Sequence, residues 1–590
     1  MDHQRKKQII KLSDYGILPG RDITVPLYRL MSEFKNNAVF VFENDDYYFS
    51  PHEEMRADYR LSNCDYIPYR TLGIWLAGMK DCELQGNGAR LWFEGQMQPF
   101  TLDHCDRALL KGFFINWKKP LVAEGTIVSH TETSADVFID QKLYPHRYQN
   151  GTLEFDIGAN EWYPVQLGGH TLFNSEKQVC RNTGDRFIID RVEPIEKEHY
   201  RFYLRSTLAM QDGSTLVLRH NARTHAGIFA EKCRNISMED ITVYSCGGLG
   251  ILAQFCRNLT IRRVSFLPDT SSGRVVSNGR DDGLHLTSNS GRITVSGCSF
   301  LGLMDDPINV HGCYVPVEST PDEYSIVCHY GHRQAKGFLY WAEKGDQVSL
   351  IDRETMETLA MATVKEYRLN TLEQFVLIFS EPIPEQVRNC VEENRIAVEN
   401  MTHTASFACR NNRFGSCRAR GILVSTPKPV RIEKNYFDSA GSAILIAGDT
   451  DHYFESGACR DVVIRENVFT DRCMSSMYQF CEGIISIDPV IRNAGMERSY
   501  HRNIRIERNV FDTPEVPVLY AFSCEKLVFC NNRIFKSPAA TRWHPKNNMF
   551  TLKRCKEVKI QSNHLTGSFG FGKQIEAEEC DDLTTDLIEN

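Results

Sequence analysis

Among the residues able to do chemistry, two acidic pairs dominate. Asp281 and Asp282 lie in NGRDDGLHLTSNS (278–290), and Asp305 and Asp306 lie in FLGLMDDPINVHG (300–312). Asp282 and Asp305 are 23 residues apart. Carboxylates forced side by side repel, and any burial adds to the cost of ionising both, so one holds its proton while the other does not. An acid kept protonated beside an ionised base is what hydrolysis of a glycosidic bond requires. The alternative use of such residues is to cap turns or to hold a structural calcium ion. Arg280, Asp281, His285, Asn309 and His311 flank the carboxylates and are candidates for hydrogen-bonding a sugar's hydroxyls.

Other chemistries lack their starting residues. The chain contains no His-Glu-x-x-His and no Gly-x-Ser-x-Gly. GSFGFGK (567–573) resembles a phosphate-binding loop, but Gln574 stands where Ser or Thr must ligate magnesium. GNGARLWFEG from Gly86 is a glycine turn before a strand rather than a dinucleotide fingerprint. The 590 residues carry a formal charge of −8, which gives no electrostatic footprint for nucleic acid or anionic membranes. No apolar run is long enough to span a bilayer. The first residues, MDHQRKKQIIKLSDYG, have no apolar leader region. The expected location is therefore cytoplasmic, or periplasmic or secreted if a leader has been removed. Twenty cysteines without a Cys-x-x-Cys read as reduced, buried thiols rather than as metal ligands, and no cofactor or metal is expected.

The elements that must position the aspartates are legible as a repeat. An eleven-residue phrase recurs as CRNISMEDITV from Cys233, CRNLTIRRVSF from Cys256, SGRITVSGCSF from Ser290, TASFACRNNRF from Thr404 and PKPVRIEKNYF from Pro427. It continues as CRDVVIRENVF from Cys459, HRNIRIERNVF from His501, CEKLVFCNNRI from Cys524 and CKEVKIQSNHL from Cys555, with a looser copy, CDRALLKGFFI, from Cys105. Places four and six are mostly Ile, Val or Leu and place eleven is usually Phe, the alternation of a strand. Place nine is Asn at 412, 435, 467, 509, 532 and 563, a turn residue that would stack into an internal amide ladder. Three of the repeat intervals are 23 residues. Short strands at that period predict an all-β parallel β-helix.

On this reading residues 1–117 form an N-terminal cap, with a short amphipathic helix, and the first coils. Residues 216–313 form the central coils with the aspartates, and residues 401–590 the C-terminal coils. Residues 118–215 and 314–400 break the repeat with short alternating strands, predicting two inserted antiparallel β-barrels. A 23-residue coil places Asp282 over Asp305, about 4.8 Å away along the axis. Strict alternation would send Asp305 and Asp306 to opposite faces, so a bend is required there. Six Trp could supply a platform under a sugar ring, and the sequence does not choose among them.

RDDGLH, MDDPINVHG, the β-helix phrases around them and the two strand-rich insertions together resemble glycoside hydrolase family 110, with a looser similarity to the inverting polygalacturonases. The resemblance implies a right-handed parallel β-helix with two small barrels. It implies metal-free removal of terminal α-1,3-linked galactose with inversion, from blood-group-B-type or linear ends. By the same resemblance Asp282, Asp305 and Asp306 are catalytic, with Asp305 protonating the departing oxygen while Asp282 and Asp306 hold the attacking water. The expected partners are α-galactoside-terminated glycans, not nucleic acid or membrane, and a barrel offers a surface for a homodimer. Two other readings fit the residues: a polysaccharide hydrolase or calcium-dependent lyase of the pectinase type, with Arg280 as base, and a non-catalytic carbohydrate-binding β-helix.

Overall fold

The repeated phrase folds as the sequence pattern dictates. In the computed structural model, which describes residues 7–181, 183–184, 186–220, 222–275, 281–334, 338–476, 478–495, 497–569 and 574–587, each phrase forms one rung of a long parallel sheet. Arg280 and residues 570–573 of the phosphate-loop-like string lie outside the described residues. Place four stacks on place four through the solenoid: Ile236 on Leu259 on Ile293 on Phe407, then Val430, Val462, Ile504, Leu527 and Val558. These side chains point inward and are buried, so each coil buries its apolar face only against its neighbours. A second parallel sheet faces the first. It includes Ile228–Glu231, Ile251–Gln254, Leu284–Thr287, the start of Ile308–Asp322, Ile422–Val424 and Ile444–Ile446. The short helix Thr24–Glu33 buries Leu27, Leu30 and Met31 against the first coils.

Two internal stacks hold the coils in register. Asn412, Asn435, Asn467, Asn509, Asn532 and Asn563 form the expected ladder, each Nδ2 donating to the next Oδ1 at 3.0–3.1 Å. Each ladder Oδ1 from Asn435 onward also accepts the backbone N–H of the Asn before it, at 2.9–3.0 Å. The left-handed residue of the turn is not the ladder Asn but its predecessor: Asn411, Lys434, Glu466, Arg508, Asn531 and Ser562 all have φ between 54° and 57°. Asn at place nine is thus selected by its buried amide rather than by its backbone angles. Alongside, Phe266, Phe300, Phe414, Phe437, Phe469 and Phe511 stack with ring centroids 4.6–5.8 Å apart. The cysteines are free thiols, buried except at Cys180, Cys390 and Cys580. At place one, Cys105, Cys233, Cys256, Cys459 and Cys555 donate to carbonyls of the preceding coil, as Cys256 Sγ does to Ala230 O at 3.4 Å.

The chain leaves the coils twice. After Leu109–Trp117 it builds a closed six-stranded antiparallel barrel from Val122–His130, Ser134–Phe138, Gly169–Phe173, Phe187–Glu196, His199–Leu204 and Thr215–Arg219. The long strand Ile308–Asp322 starts as a rung of the solenoid and runs on into a second ring with Ser325–His329, Gln374–Phe379, Thr358–Leu369, Gln347–Asp352 and Ile396–Asn400. A strand shared between coil and barrel fixes that barrel beside Asp305 and Asp306, which immediately precede it.

Substituting Asn467 by Ala removes an amide with buried partners on both neighbouring coils and leaves unsatisfied donors behind. The expected loss is about 2–4 kcal/mol of unfolding free energy in chemical denaturation, against under about 1 kcal/mol for Asn563→Ala at the partly exposed end of the ladder. Equal effects at both positions would mean that the ladder is not what holds the coils.

Candidate active site

The acidic pairs do not stack as a 23-residue coil implies. Leu284 pairs with Ile308, and Gly283 N–H donates to Asp306 O, so the local register is 24 residues. Asp281 therefore sits over Asp305 and Asp282 over Asp306, while Asp282 and Asp305 are diagonal neighbours. The extra residue is taken up after Leu284–Thr287, by a bulge where Arg257 pairs with Ser290 but Leu259 pairs with Ile293, and not in the bends that precede each strand. All four aspartates lie in those bends rather than on the strands, so Asp305 and Asp306 escape strict alternation. The same register carries on to the next coil: Ile308 pairs with Ile422, which sets Arg420 over Asp306.

Guanidinium groups answer the crowded charge. Arg223, on the return from the first barrel, donates through Nη2 to Asp281 Oδ1 at 2.7 Å and to Asp305 Oδ2 at 3.2 Å. Arg420 gives Asp306 two bonds, its backbone N–H to Oδ1 at 3.0 Å and Nη2 to Oδ2 at 2.7 Å. Tyr478 donates its hydroxyl to Asp305 Oδ1 at 3.2 Å and lays its ring against Arg418 and Arg420, 4.8 and 4.9 Å from the ring centre. Among the described residues Asp282 Oδ2 meets no arginine or lysine directly; it lies 2.8 Å from His285 Nδ1.

These surroundings separate the carboxyls. Burial works against ionising Asp305, but Arg418, Arg223 and Arg420 overrule it and hold its carboxyl below the usual range. Burial drives Asp282 well above that range, and Asp305 beside it pushes the same way, against the pull of Arg223. Burial also raises Asp306, against Arg420. Mutual repulsion ties Asp282, Asp305 and Asp306 together, so they titrate as a set rather than singly. Since both Asp306 oxygens accept from Arg420, the bonding of an anion, the proton belongs on Asp282. The polygalacturonase-like assignment makes Asp305 the donor, yet three guanidiniums make it the best anion of the trio.

The aspartates open into a cleft of about 420 Å³. Gln166 and Arg219 of the first barrel, Arg333 and Gln334 of the second, Asn63 and Asp65 of the N-terminal segment, and Tyr453, Tyr478 and Phe480 of a late coil wall it. Asn309 also lines it, donating Nδ2 to Glu455 Oε1 at 3.0 Å, while its buried Oδ1 has no hydrogen-bond partner among the described residues. His285 and His311 do not line the cleft. They are buried behind Asp282, so the expectation that they bind sugar directly is corrected: the Asn63 amide stands 3.1 Å from His285 Nε2 and Glu455 Oε1 3.6 Å from His311 Nε2. None of the six Trp lines the cleft either; Trp75 stacks on Tyr28 and Trp341 is buried inside the second barrel. The aromatic wall is made instead by Tyr453, Tyr478 and Phe480.

Sequence reasoning missed Arg223, Arg418, Arg420 and Tyr478. A signal for Arg420 was present: Asp282-Gly-Leu, Asp306-Pro-Ile and Arg420-Gly-Ile enter equivalent strands of three successive coils.

Because Asp282's folded pKa is raised, its protonated form favours the native state, and that contribution is lost as pH climbs from the unfolded Asp value of about 3.9 through the folded one. Asp306 adds the same sign, whereas the lowered Asp305 contributes stability that is lost only as pH falls through its own folded value. Asp282→Asn should therefore flatten the fall in Tm between pH 5 and pH 8 and leave the variant more thermostable than the parent at the upper end. A thermal-shift series in which the variant follows the parent's slope would place the buried proton elsewhere.

Comparison with known proteins agrees with this architecture. Models of GLAA-B β-barrel domain I and GLAA-B β-barrel domain II match residues 123–216 and 325–389. The chain is 36% identical to the α-1,3-galactosidase B of Bacteroides thetaiotaomicron, over 95% of this chain and 91% of that protein. It is 31% identical to the α-1,3-galactosidase B of Akkermansia muciniphila, over 95% of this chain and 70% of that protein. The α-1,3-galactosidase A of Bacteroides fragilis is 29% identical, over 96% of this chain and 93% of that protein. With relatives this similar along nearly its whole length and both inserted barrels matched, the chain belongs to glycoside hydrolase family 110, the family of the α-1,3-galactosidases, and is a glycosidase.

Proposed function

We propose that this protein removes terminal α-1,3-linked galactose from glycan ends, linear Galα1-3Gal or blood-group-B-type, by an inverting reaction in which Asp282 is the acid and Asp305 the base. The observation that carries the acid–base reading is the opposite tuning of these two diagonal neighbours in one cleft. Inversion needs about 6.5–9.5 Å between acid and base to admit water, and a diagonal offset favours such spacing over a direct stack. Asp282 delivers its proton to the departing glycosidic oxygen. Asp305, ionised and steadied by Arg223 and Tyr478, takes a proton from water attacking the anomeric carbon from the opposite side. Asp306 holds Arg420 in place and adds negative potential where positive charge develops on the sugar.

Exo action is supported by the walls. Both barrels, the N-terminal segment and the late-coil loop bound the cleft, so a sugar chain enters by its end rather than lying across. The Tyr453–Phe480 aromatic pair suits a sugar's apolar face.

Incubation with Galα1-3Gal, followed by proton NMR at early times, should show β-galactose appearing before mutarotation; α-galactose first would mean retention. Asp282→Asn should cut hydrolysis of this substrate by about 10²–10⁴-fold, yet lose much less on p-nitrophenyl α-galactoside, whose leaving group needs little protonation. Asp305→Asn should fail on both. The reverse pattern would return the acid to Asp305, and full activity in both variants would move the site.

A further inference from the structure

The cleft is not symmetrical about the aspartates. On the early-coil side, among the described residues, nothing from the strands Ile228–Glu231 and Ile251–Gln254 lines it. The N-terminal segment closes that end. Ser62 N–H donates to Gln254 Oε1 at 3.1 Å, Asn63 N–H to Gln334 O at 2.8 Å and Asp65 N–H to Arg223 O at 2.7 Å. Gln334 Nε2 adds a bond to Asp65 Oδ1 at 3.0 Å, which ties the segment to the second barrel. On the late-coil side the lining runs on through Leu423, Leu445 and Ala447 to Asp488 and Val490. Ile308 pairs with Ile422, Ile422 with Ile444 and Ile444 with Ile485, so Asp488 stands three coils beyond Asp306. At ~4.8 Å per coil that is about 14 Å along the axis, a length that takes several sugar rings in file.

Exo action puts the terminal galactose in the closed end beside the aspartates, and the rest of the glycan leaves along the open length. Ile422, Val424, Ile444 and Ile446 point into the core, so Leu423 and Leu445 between them stand on the outward face and make an apolar floor. Tyr453, 39% exposed, adds a wall against which the apolar face of a sugar can pack, and its hydroxyl accepts from Gln479 Nε2 at 2.9 Å. Asp488, at the far end of the floor, is different in kind. It directly follows the strand Ile485–Ile487, and its N–H is bonded to Ile446 O at 2.9 Å, so the backbone fixes where the carboxyl starts.

The Asp488 carboxyl is half-buried and accepts no hydrogen bond from the described residues. Burial raises it to about 6, and Lys553 pulls the other way while paired with Glu578 at 3.4 Å. Such a carboxylate is an acceptor without a donor, and adjacent sugar hydroxyls are donors that match its two oxygens. We propose that the leaving-group portion of the glycan lies along the late coils over Leu423 and Leu445, and that Asp488 binds hydroxyls of the third sugar. Asp488 is then a specificity-determining residue that reads chain length. This site takes the exo-galactosidase reading as given and is indifferent to which aspartate supplies the proton.

Kinetics of the whole protein on Galα1-3Gal and on Galα1-3Galβ1-4GlcNAc test the site, with the ratio of the two kcat/KM values as the readout. The parent should favour the trisaccharide by about 10–100-fold, the worth of hydrogen bonds to a charged group. Asp488→Ala should bring that ratio close to one, chiefly through KM on the trisaccharide. Asp488→Asn keeps the shape and one acceptor oxygen, so it should retain part of the preference; it carries the test if the Ala variant melts early. A readout free of turnover is saturation-transfer NMR with N-acetyllactosamine, the leaving disaccharide, which should bind the parent and bind Asp488→Ala at least tenfold more weakly. A parent that cleaves both substrates equally well, or an Asp488→Ala that slows both alike, would overturn this site and leave the proposed function standing. A parent that cleaves neither would sink the proposed function and the site with it.

Discussion

The site depends on one constraint, the column that coil stacking makes of Asp282, Asp306 and Arg420. Parallel rungs bring like positions together whatever their charge, and two buried carboxyls in succession would be intolerable without relief. Relief comes in two forms. Arg420 neutralises the middle member with two hydrogen bonds, and the first member keeps its proton against neutral His285. The neighbouring column, Asp281 over Asp305, is bridged by a single Arg223 nitrogen. What would be a defect in a structural solenoid becomes a pair of carboxyls with opposite protonation, set by neighbours rather than by their own chemistry.

The barrels complete this arrangement rather than decorating it. Arg223 lies on the path returning from the first barrel, and Asn309, His311 and Gly312 lie on the strand that continues into the second. Moving either barrel would therefore shift the cation that bridges Asp281 and Asp305, or the strand that carries Asn309 into the cleft. Residues of both barrels also wall the cleft, so the parts that set the charges set the shape as well.

Much of the fold was legible because a solenoid repeats its own evidence. Ile and Leu at place four, Phe at place eleven and Asn at place nine each recur where identical environments recur. The acidic pairs were legible for the same reason. The 24-residue local register was not, because a one-residue bulge at the start of Ser290–Ser296 leaves no periodic trace, and it decides which aspartates stack. The arginines were obscured by distance along the chain: Arg420 follows Asp306 by a coil in space but by 114 residues in sequence, with a whole barrel between. His285 and His311 were seen but read as ligands of the substrate, since alternation alone does not say that Asn63 and Glu455 stand against the outward face of that sheet.

The central claim is that the resting site carries its proton on Asp282 and its charge on Asp305. Infrared difference spectra of the unliganded protein at neutral pH, parent minus Asp282→Asn and parent minus Asp305→Asn, address it directly. The account predicts that a buried protonated-carboxyl band disappears with Asp282 and that only carboxylate bands disappear with Asp305. A carboxylate lost with Asp282 and a protonated carboxyl lost with Asp305 would contradict it.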